Sequence, residues 1–176
     1  MTRVRFAGFG GQGVVLSGFI LGRAACLHGG KNAAMTQNYG PESRGGACSA
    51  DVVVDDREIA MPVFDQPDIL ILLSQEAANK NSVWIARSKL VLVDEDLVHL
   101  EGDDPHVQKA PFTRMATAMG RRIVANIVML GTLTARCHLV APEAMEEAIR
   151  HTVPPKTVDL NLKAFRAGLA IPEAAT

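Results

Sequence analysis

The sequence predicts an α/β fold: a single Rossmann-like domain over residues 1–176, with a mainly parallel sheet flanked by helices and a helical C-terminal part. Three observations carry that expectation. Wholly apolar runs of strand length, Ile69-Leu70-Ile71-Leu72-Leu73 and Leu90-Val91-Leu92-Val93, alternate with segments of helical period, as in a sheet covered on both faces. The first apolar run ends in Gly8, Gly10, Gly11 and Gly13, and a helix-compatible segment follows at once. From Thr113 onward the periodic segments are helical.

Taken in order, residues 4–9 read as a strand and residues 13–27 as a helix. Val14, Val15, Gly18, Leu21, Gly22 and Ala25 give that helix a small-residue stripe able to lie close on a sheet, and His28-Gly29-Gly30 stops it. Residues 32–37 form the second strand and residues 36–46 a polar loop. Residues 47–54 form a third strand that turns at Asp55-Asp56, with residues 57–61 pairing back as a short hairpin partner ended by Pro62. After the strand at 69–73, Ser74 is placed to cap a helix that begins Gln75-Glu76. The strand at 90–93 runs into Asp94-Glu95-Asp96, a trio suited to a cation but more commonly a solvated strand exit. Residues 107–112 make the last strand. Residues 123–135 make a helix with Ile123, Ile127, Leu130 and Leu133 or Thr134 on one face, in which Asn126 needs a polar partner. Pro142 suits the first turn of another helix, Pro154-Pro155 breaks the chain, and Leu160, Leu162, Phe165 and Leu169 anchor the final helix at 157–169.

The glycine turn carries the first functional signal. A strand–turn–helix junction leaves backbone N–H groups unpaired beside the positive end of a helix dipole, and glycines let an anion approach those amides. The spacing Gly8-x-Gly10-x-x-Gly13 matches the dinucleotide fingerprint. NAD binding also asks for an acid about twenty residues on, to hold the ribose. Between Val14 and Ala50 the one carboxylate is Glu42, inside the Gly/Pro-rich loop. The turn therefore fits a phosphate-bearing ligand other than NAD, or a structural junction that binds nothing. The second signal is the loop Gln37-Asn38-Tyr39-Gly40-Pro41-Glu42-Ser43-Arg44-Gly45-Gly46. Arg44 beside two glycines offers a bidentate fork and approachable amides to a carboxylate or phosphate, or a contact to a neighbouring subunit.

Composition narrows the classes. A net charge of −1 gives no electrostatic case for nucleic acid or an anionic membrane. No apolar run is long enough to span a bilayer, and the chain reads as cytoplasmic. Cys26, Cys48 and Cys137 are odd in number and far apart, so neither a disulfide framework nor a zinc or iron–sulfur spacing is present, and the five histidines show no ligand spacing. No metal site is expected, and no Ser-His-Asp or Cys-His arrangement can be argued from spacing, since such triads are assembled in space.

Together, Gly8-Phe9-Gly10-Gly11-Gln12-Gly13 and the loop at 37–46 resemble the gamma subunit of 2-oxoacid:ferredoxin oxidoreductases, most of all the 2-oxoglutarate type. Leu73-Ser74-Gln75-Glu76-Ala77 and Gly120-Arg121-Arg122-Ile123-Val124-Ala125-Asn126 extend the likeness over nearly the whole chain. Relatives more often have Ser at position 38 and Ala at position 43. The resemblance implies oxidative decarboxylation of a 2-oxoacid with coenzyme A, giving acyl-CoA, carbon dioxide and reduced ferredoxin. It implies that thiamine diphosphate and 4Fe–4S clusters reside on partners: thiamine-bearing alpha and beta subunits and a ferredoxin-like delta subunit. This chain would contribute coenzyme A binding and subunit assembly. The residues expected at the coenzyme are Gly10, Gly11, Gln12, Gly13, Tyr39, Ser43, Arg44, Gly45, Gly46 and Asn126. A purely structural assembly module and a stand-alone nucleotide-binding protein are the alternatives, and dimerisation of the isolated chain stays open.

Overall fold

The computed structural model describes residues 1–40, 46–102 and 104–173. Six strands form one sheet in the order β2-β3-β1-β4-β5-β6. They are β1 (Thr2–Phe9), β2 (Asn32–Tyr39), β3 (Ala47–Asp55), β4 (Ile69–Leu72), β5 (Leu90–Asp94) and β6 (Val107–Ala110). Strands β1, β4, β5 and β6 run parallel, and β3 alone is reversed, antiparallel to both β1 and β2. The expectation of a mainly parallel α/β sheet holds. The reversal follows from chain length: the few residues between β2 and β3 suffice for a hairpin, whereas a parallel return needs a crossover of a dozen or more.

The helices are α1 (Val14–Arg23), α2 (Gln75–Lys80), α3 (Ser82–Ile85), α4 (Phe112–Ala118), α5 (Ala125–Cys137), α6 (Pro142–Arg150) and α7 (Val158–Leu169). One sheet face carries the larger core, in which Val4, Phe6, Ile71 and Leu92 pack with Ile20, Ile127, Leu130 and Phe165. On the other face Leu70, Leu72, Val91 and Val93 pack with Ala77, Ala78 and Val98. Beyond β1 that second face carries the Arg5–Asp51 ion pair at 2.7 Å, and Arg5 also lies 5.4 Å from the Phe64 ring centroid. The irregular connection between β3 and β4 thus covers this part of the sheet where no helix does.

Several local expectations meet their mechanism. Ser74 Oγ accepts from the Ala77 N–H at 3.2 Å, and Pro142 opens α6. Gly18 lets α1 lie on the sheet, since a Cβ there would stand 3.1 Å from Ala50 Cβ and from Met35 Sδ.

Others are corrected. Residues 57–61 form no strand, because β3 is already paired along its length on both sides, to β1 and to β2. Strand β2 runs on to Tyr39, so Tyr39 belongs to the sheet rather than to the loop. Strand β6 stops at Ala110, and Pro111, which lacks an N–H, leads into α4 at the fully buried Phe112. Residues Arg122–Val124 form a 3₁₀ turn ahead of α5, which leaves Ile123 67% exposed instead of anchoring the helix face. Helix α1 continues as a π turn, Ala24–His28, before the expected glycine stop.

Candidate functional site

Building from β1, the chain leaves the sheet in a tight turn. Gln12 N–H donates to Phe9 O at 3.1 Å, and Gly11 occupies the third turn position at φ 97°. That conformation strains any residue with a Cβ. Gly13 follows at φ 74° and precedes the first residue of α1. The Gln12 side chain pins the turn from inside: its Oε1 accepts from Phe9 N–H at 2.6 Å, and its Nε2 donates to Leu73 O at 2.7 Å beyond β4. The turn is therefore tied to the next parallel strand.

Asn126 locks the other side. It is 3% exposed, and its Nδ2 lies 3.4 Å from Gly13 O and 3.5 Å from Ser17 Oγ. A Cβ on Gly13 would run into the Asn126 amide. Its partner is thus the glycine turn itself, 113 positions earlier in sequence.

These elements enclose a cleft of about 250 Å³ lined by Gly11, Gln12, Leu73, Asp94, Arg122 and Asn126, among others. It lies beyond the carboxyl ends of β1, β4 and β5, where open α/β sheets bind ligands. One wall carries Asp94, which is 1% exposed and accepts from Thr113 Oγ1 at 2.6 Å and Thr113 N–H at 3.1 Å. Burial pushes the Asp94 carboxyl above its ordinary range despite those donors. The acidic trio is neither a solvated exit nor a cation cage: Asp94 and Asp96 accept the Thr113 and Arg114 amides at the start of α4, and Arg114 pairs with Glu95. The lining also includes Arg122, exposed and without an ion pair among the described residues. No group of three or more His, Cys, Asp or Glu side chains able to hold a metal occurs among the described residues.

Of the residues expected at a ligand, Gly11, Gln12 and Asn126 meet in this cleft. Gly10 and Gln12 have committed amides, to Gly46 O at 3.0 Å and to Phe9 O. Those of Gly11 and Gly13 donate to no acceptor among the described residues. Tyr39 borders a separate hollow of about 330 Å³ on the other side of the turn, shared with Gly8, Asn38, Ser49 and Asn81. Gly46, just ahead of β3, is tied to the turn by accepting the Gly10 N–H. Ser43, Arg44 and Gly45 lie outside the described residues. Sequence reasoning missed Asp94, Thr113 and Arg122 as neighbours of the turn. The Arg121-Arg122 pair just ahead of a buried helix was the available signal for the last.

A family model described as pyruvate ferredoxin/flavodoxin oxidoreductase matches residues 3–171. The 2-oxoglutarate synthase subunit KorC of Methanocaldococcus jannaschii is 48% identical over 172 residues, 96% of this chain and 92% of the relative. The keto/oxoacid ferredoxin oxidoreductase gamma subunit of Geobacter sulfurreducens superposes with a TM-score of 0.82 at 38% identity, over 96% of each chain. The 2-oxoglutarate:ferredoxin oxidoreductase of Magnetococcus marinus, solved with 2-oxoglutarate, coenzyme A and succinyl-CoA bound, shares the fold with a TM-score of 0.81 at 24% identity. The match spans 96% of this chain and 30% of that one. The chain belongs to the pyruvate ferredoxin/flavodoxin oxidoreductase family, as a gamma subunit of a 2-oxoacid:ferredoxin oxidoreductase most like the 2-oxoglutarate type.

Proposed function

We propose that this gamma subunit serves a cytoplasmic 2-oxoglutarate:ferredoxin oxidoreductase, binding part of coenzyme A and helping to hold the complex together. The observation that carries the proposal is the cleft at the strand ends, which Arg122, without an ion pair among the described residues, lines together with a glycine turn whose Gly11 and Gly13 amides donate to no acceptor among them. Anions favour such helix N-termini, and a guanidinium matches a diphosphate in charge and geometry. A Cβ added to Gly11 would meet nothing within 4 Å, so the approach to the turn is open. A cleft of about 250 Å³ is smaller than a typical drug-sized pocket, ~300–1,000 Å³. It suits the diphosphate region of a coenzyme that extends beyond it.

In this reading Gly11 and Gly13 offer amides to a phosphate, Arg122 supplies the counter-charge, and Asn126 holds the turn in shape. Gly10 and Gln12 shape the turn through their internal bonds. Ser43, Arg44, Gly45 and Gly46 contact a second anionic group or the thiamine-bearing alpha and beta subunits, and Tyr39, at the end of β2, borders the separate hollow. Thiamine diphosphate and iron–sulfur clusters belong to those partners and to a ferredoxin-like delta subunit, with ferredoxin as electron acceptor.

The test is steady-state kinetics of the assembled complex carrying Arg122→Gln, with viologen reduction as the readout. Loss of a charge-assisted contact of about 1.5 kcal/mol raises KM for coenzyme A roughly tenfold. KM for 2-oxoglutarate stays unchanged, and 2-oxoglutarate outperforms pyruvate, branched-chain and aryl 2-oxoacids in kcat/KM. An unchanged KM for coenzyme A would support the second reading, a structural assembly module. That reading draws on Gly8 and Gly13, whose missing side chains are already explained by the close approach of Gln12 and Asn126.

A further inference from the structure

The two edges of the sheet are finished differently. Strand β6 is four residues long, carries Lys109, and is overlaid by Arg136, which donates to Gln108 Oε1 at 2.8 Å. Strand β2 is eight residues long, with no charge, no proline and no fully buried residue. Charges, prolines and short length are how edges avoid pairing with other chains, and β2 has none of them. Among the described residues no strand pairs with its outer side.

Hydrogen bonding fixes which groups point outward. Gly40 N–H donates to Ala47 O at 2.7 Å, so the even-numbered residues of β2 turn toward β3. Ala33 N–H donates instead to Cys26 Sγ at 3.1 Å, which caps the outer edge at that residue. The odd-numbered residues Met35, Gln37 and Tyr39 are left with outward N–H and C=O groups. Their side chains share one sheet face, the face on which α1 lies over Met35. Beside them runs an apolar groove of about 270 Å³ between α1 and β2, lined by Phe19, Leu27 and Met35 among others. Phe19 is 51% and Leu27 65% exposed.

We propose that β2 pairs with β2 of a second copy of this chain, antiparallel about a two-fold axis through Gln37, making one continuous sheet. This register engages every outward group the Cys26 cap leaves open: Gln37 faces its own equivalent, and Met35 faces Tyr39 of the second copy. Glutamine is its own hydrogen-bonding complement, and the methionine–tyrosine pair places a thioether against an aromatic ring. Between Asn32 and Tyr39 no charge opposes itself across the axis, and Lys31, next to the strand's first residue, is paired with Asp56 at 2.8 Å. An axis perpendicular to the sheet keeps both α1 helices on one side, so the two apolar grooves adjoin across the join. Such a contact is isologous and closes at two copies.

Sedimentation velocity of the full chain over a dilution series tests this. The wild type sediments as a dimer, and Gln37→Lys, which sets two ammonium groups against each other on an exposed strand, sediments as a folded monomer whose thermal midpoint no longer depends on protein concentration, as the dimer's does. Mild oxidation of Gln37→Cys gives a covalent dimer, since directly opposed hydrogen-bonded residues stand about 5.5 Å apart at Cα, within disulfide reach. Asn32→Cys, outside the register, gives none beyond the wild-type background. A monomeric wild type, or a dimer that survives Gln37→Lys, overturns the proposal. So does protection of the Met35, Gln37 and Tyr39 amides from hydrogen exchange that arises only when the other subunits are added, because that edge would then belong to a different chain.

Discussion

At the β1–α1 turn and at the crossing of α5 with α7 the chain depends on glycine for opposite reasons. In the turn, Gly11 and Gly13 adopt positive φ, and Gly11 faces open space. At the crossing, Gly131 and Gly168 sit in helices and are required by what surrounds them. A Cβ on Gly131 would run into Phe165 O and stand 2.8 Å from Leu169 N, and one on Gly168 would run into Val128 O. Thr132 Oγ1 adds a bond to Gly168 O at 3.0 Å. The turn glycines are required by their backbone conformation, with only Gly11 leaving a surface open, and the helix glycines let two backbones touch. Local sequence reveals the first kind, because the spacing is compact. It conceals the second, because the two glycines lie far apart in a pattern that reads as ordinary helix.

The largest expected effect comes from breaking the crossing. Gly131→Ala forces backbone against backbone, where no side chain can rotate aside, and the helices must separate. A loss of at least about 3 kcal/mol follows, at the upper end of overpacking costs, read as a lowered midpoint in urea unfolding. A loss below 1 kcal/mol would show that the crossing is looser than its geometry.

Gly13→Ala comes next, because it combines positive φ with the Asn126 contact. Left-handed backbone costs a non-glycine residue about 1–3 kcal/mol, and the clash adds to it. Pairing it with Asn126→Gly separates the terms: the double variant recovers the steric part and keeps the conformational part, read in a double-mutant cycle. Strict additivity would mean that Asn126 does not confine Gly13.

Gly11→Ala isolates the conformational term, since a Cβ there has room. A loss of about 1 kcal/mol is expected in thermal unfolding. If the turn serves an anionic ligand, the same variant weakens coenzyme A more than its stability loss explains, because the methyl group stands over the amide.

How much of this was legible depends on distance along the chain. The buried strands, the Ser74 cap, the Pro142 helix start and the glycine turn were local patterns, and each was found. Asn126 was noticed as a buried polar residue, but its partner could not be read, because Gly13 is joined to it only by the fold. Asp94, Thr113 and Arg122 come from the end of β5, the start of α4 and the 3₁₀ turn before α5, and no spacing relates them. The misplacement of Ile123 has the same origin: helical period cannot show that Arg122–Val124 tighten into a 3₁₀ turn. The proposed hairpin partner after β3 failed because β1 and β2 occupy both its sides.

The smallest effect distinguishes two ways of holding α7. Against α5 it is held by glycine contact, which does not titrate. Against α6 it is held by charge: Arg166 Nε and Nη2 donate to the two carboxylate oxygens of Glu146 at 2.7 and 2.8 Å. Those donors hold the Glu146 carboxyl below its ordinary value of 4.5. A carboxylate depressed in the folded state adds stability above its unfolded pKa, and that contribution is lost as pH falls through the folded pKa. Because Arg166 is 59% exposed, solvent screens the pair and its contribution is small. Glu146→Gln should therefore lower stability slightly at neutral pH and converge with the wild type once the pH drops well below 4.5. Gly131→Ala should keep its full penalty across the same range. Urea midpoints measured for both variants from neutral to acid pH check this, and a gap for Glu146→Gln that persists at low pH would show that the pair acts through packing rather than charge.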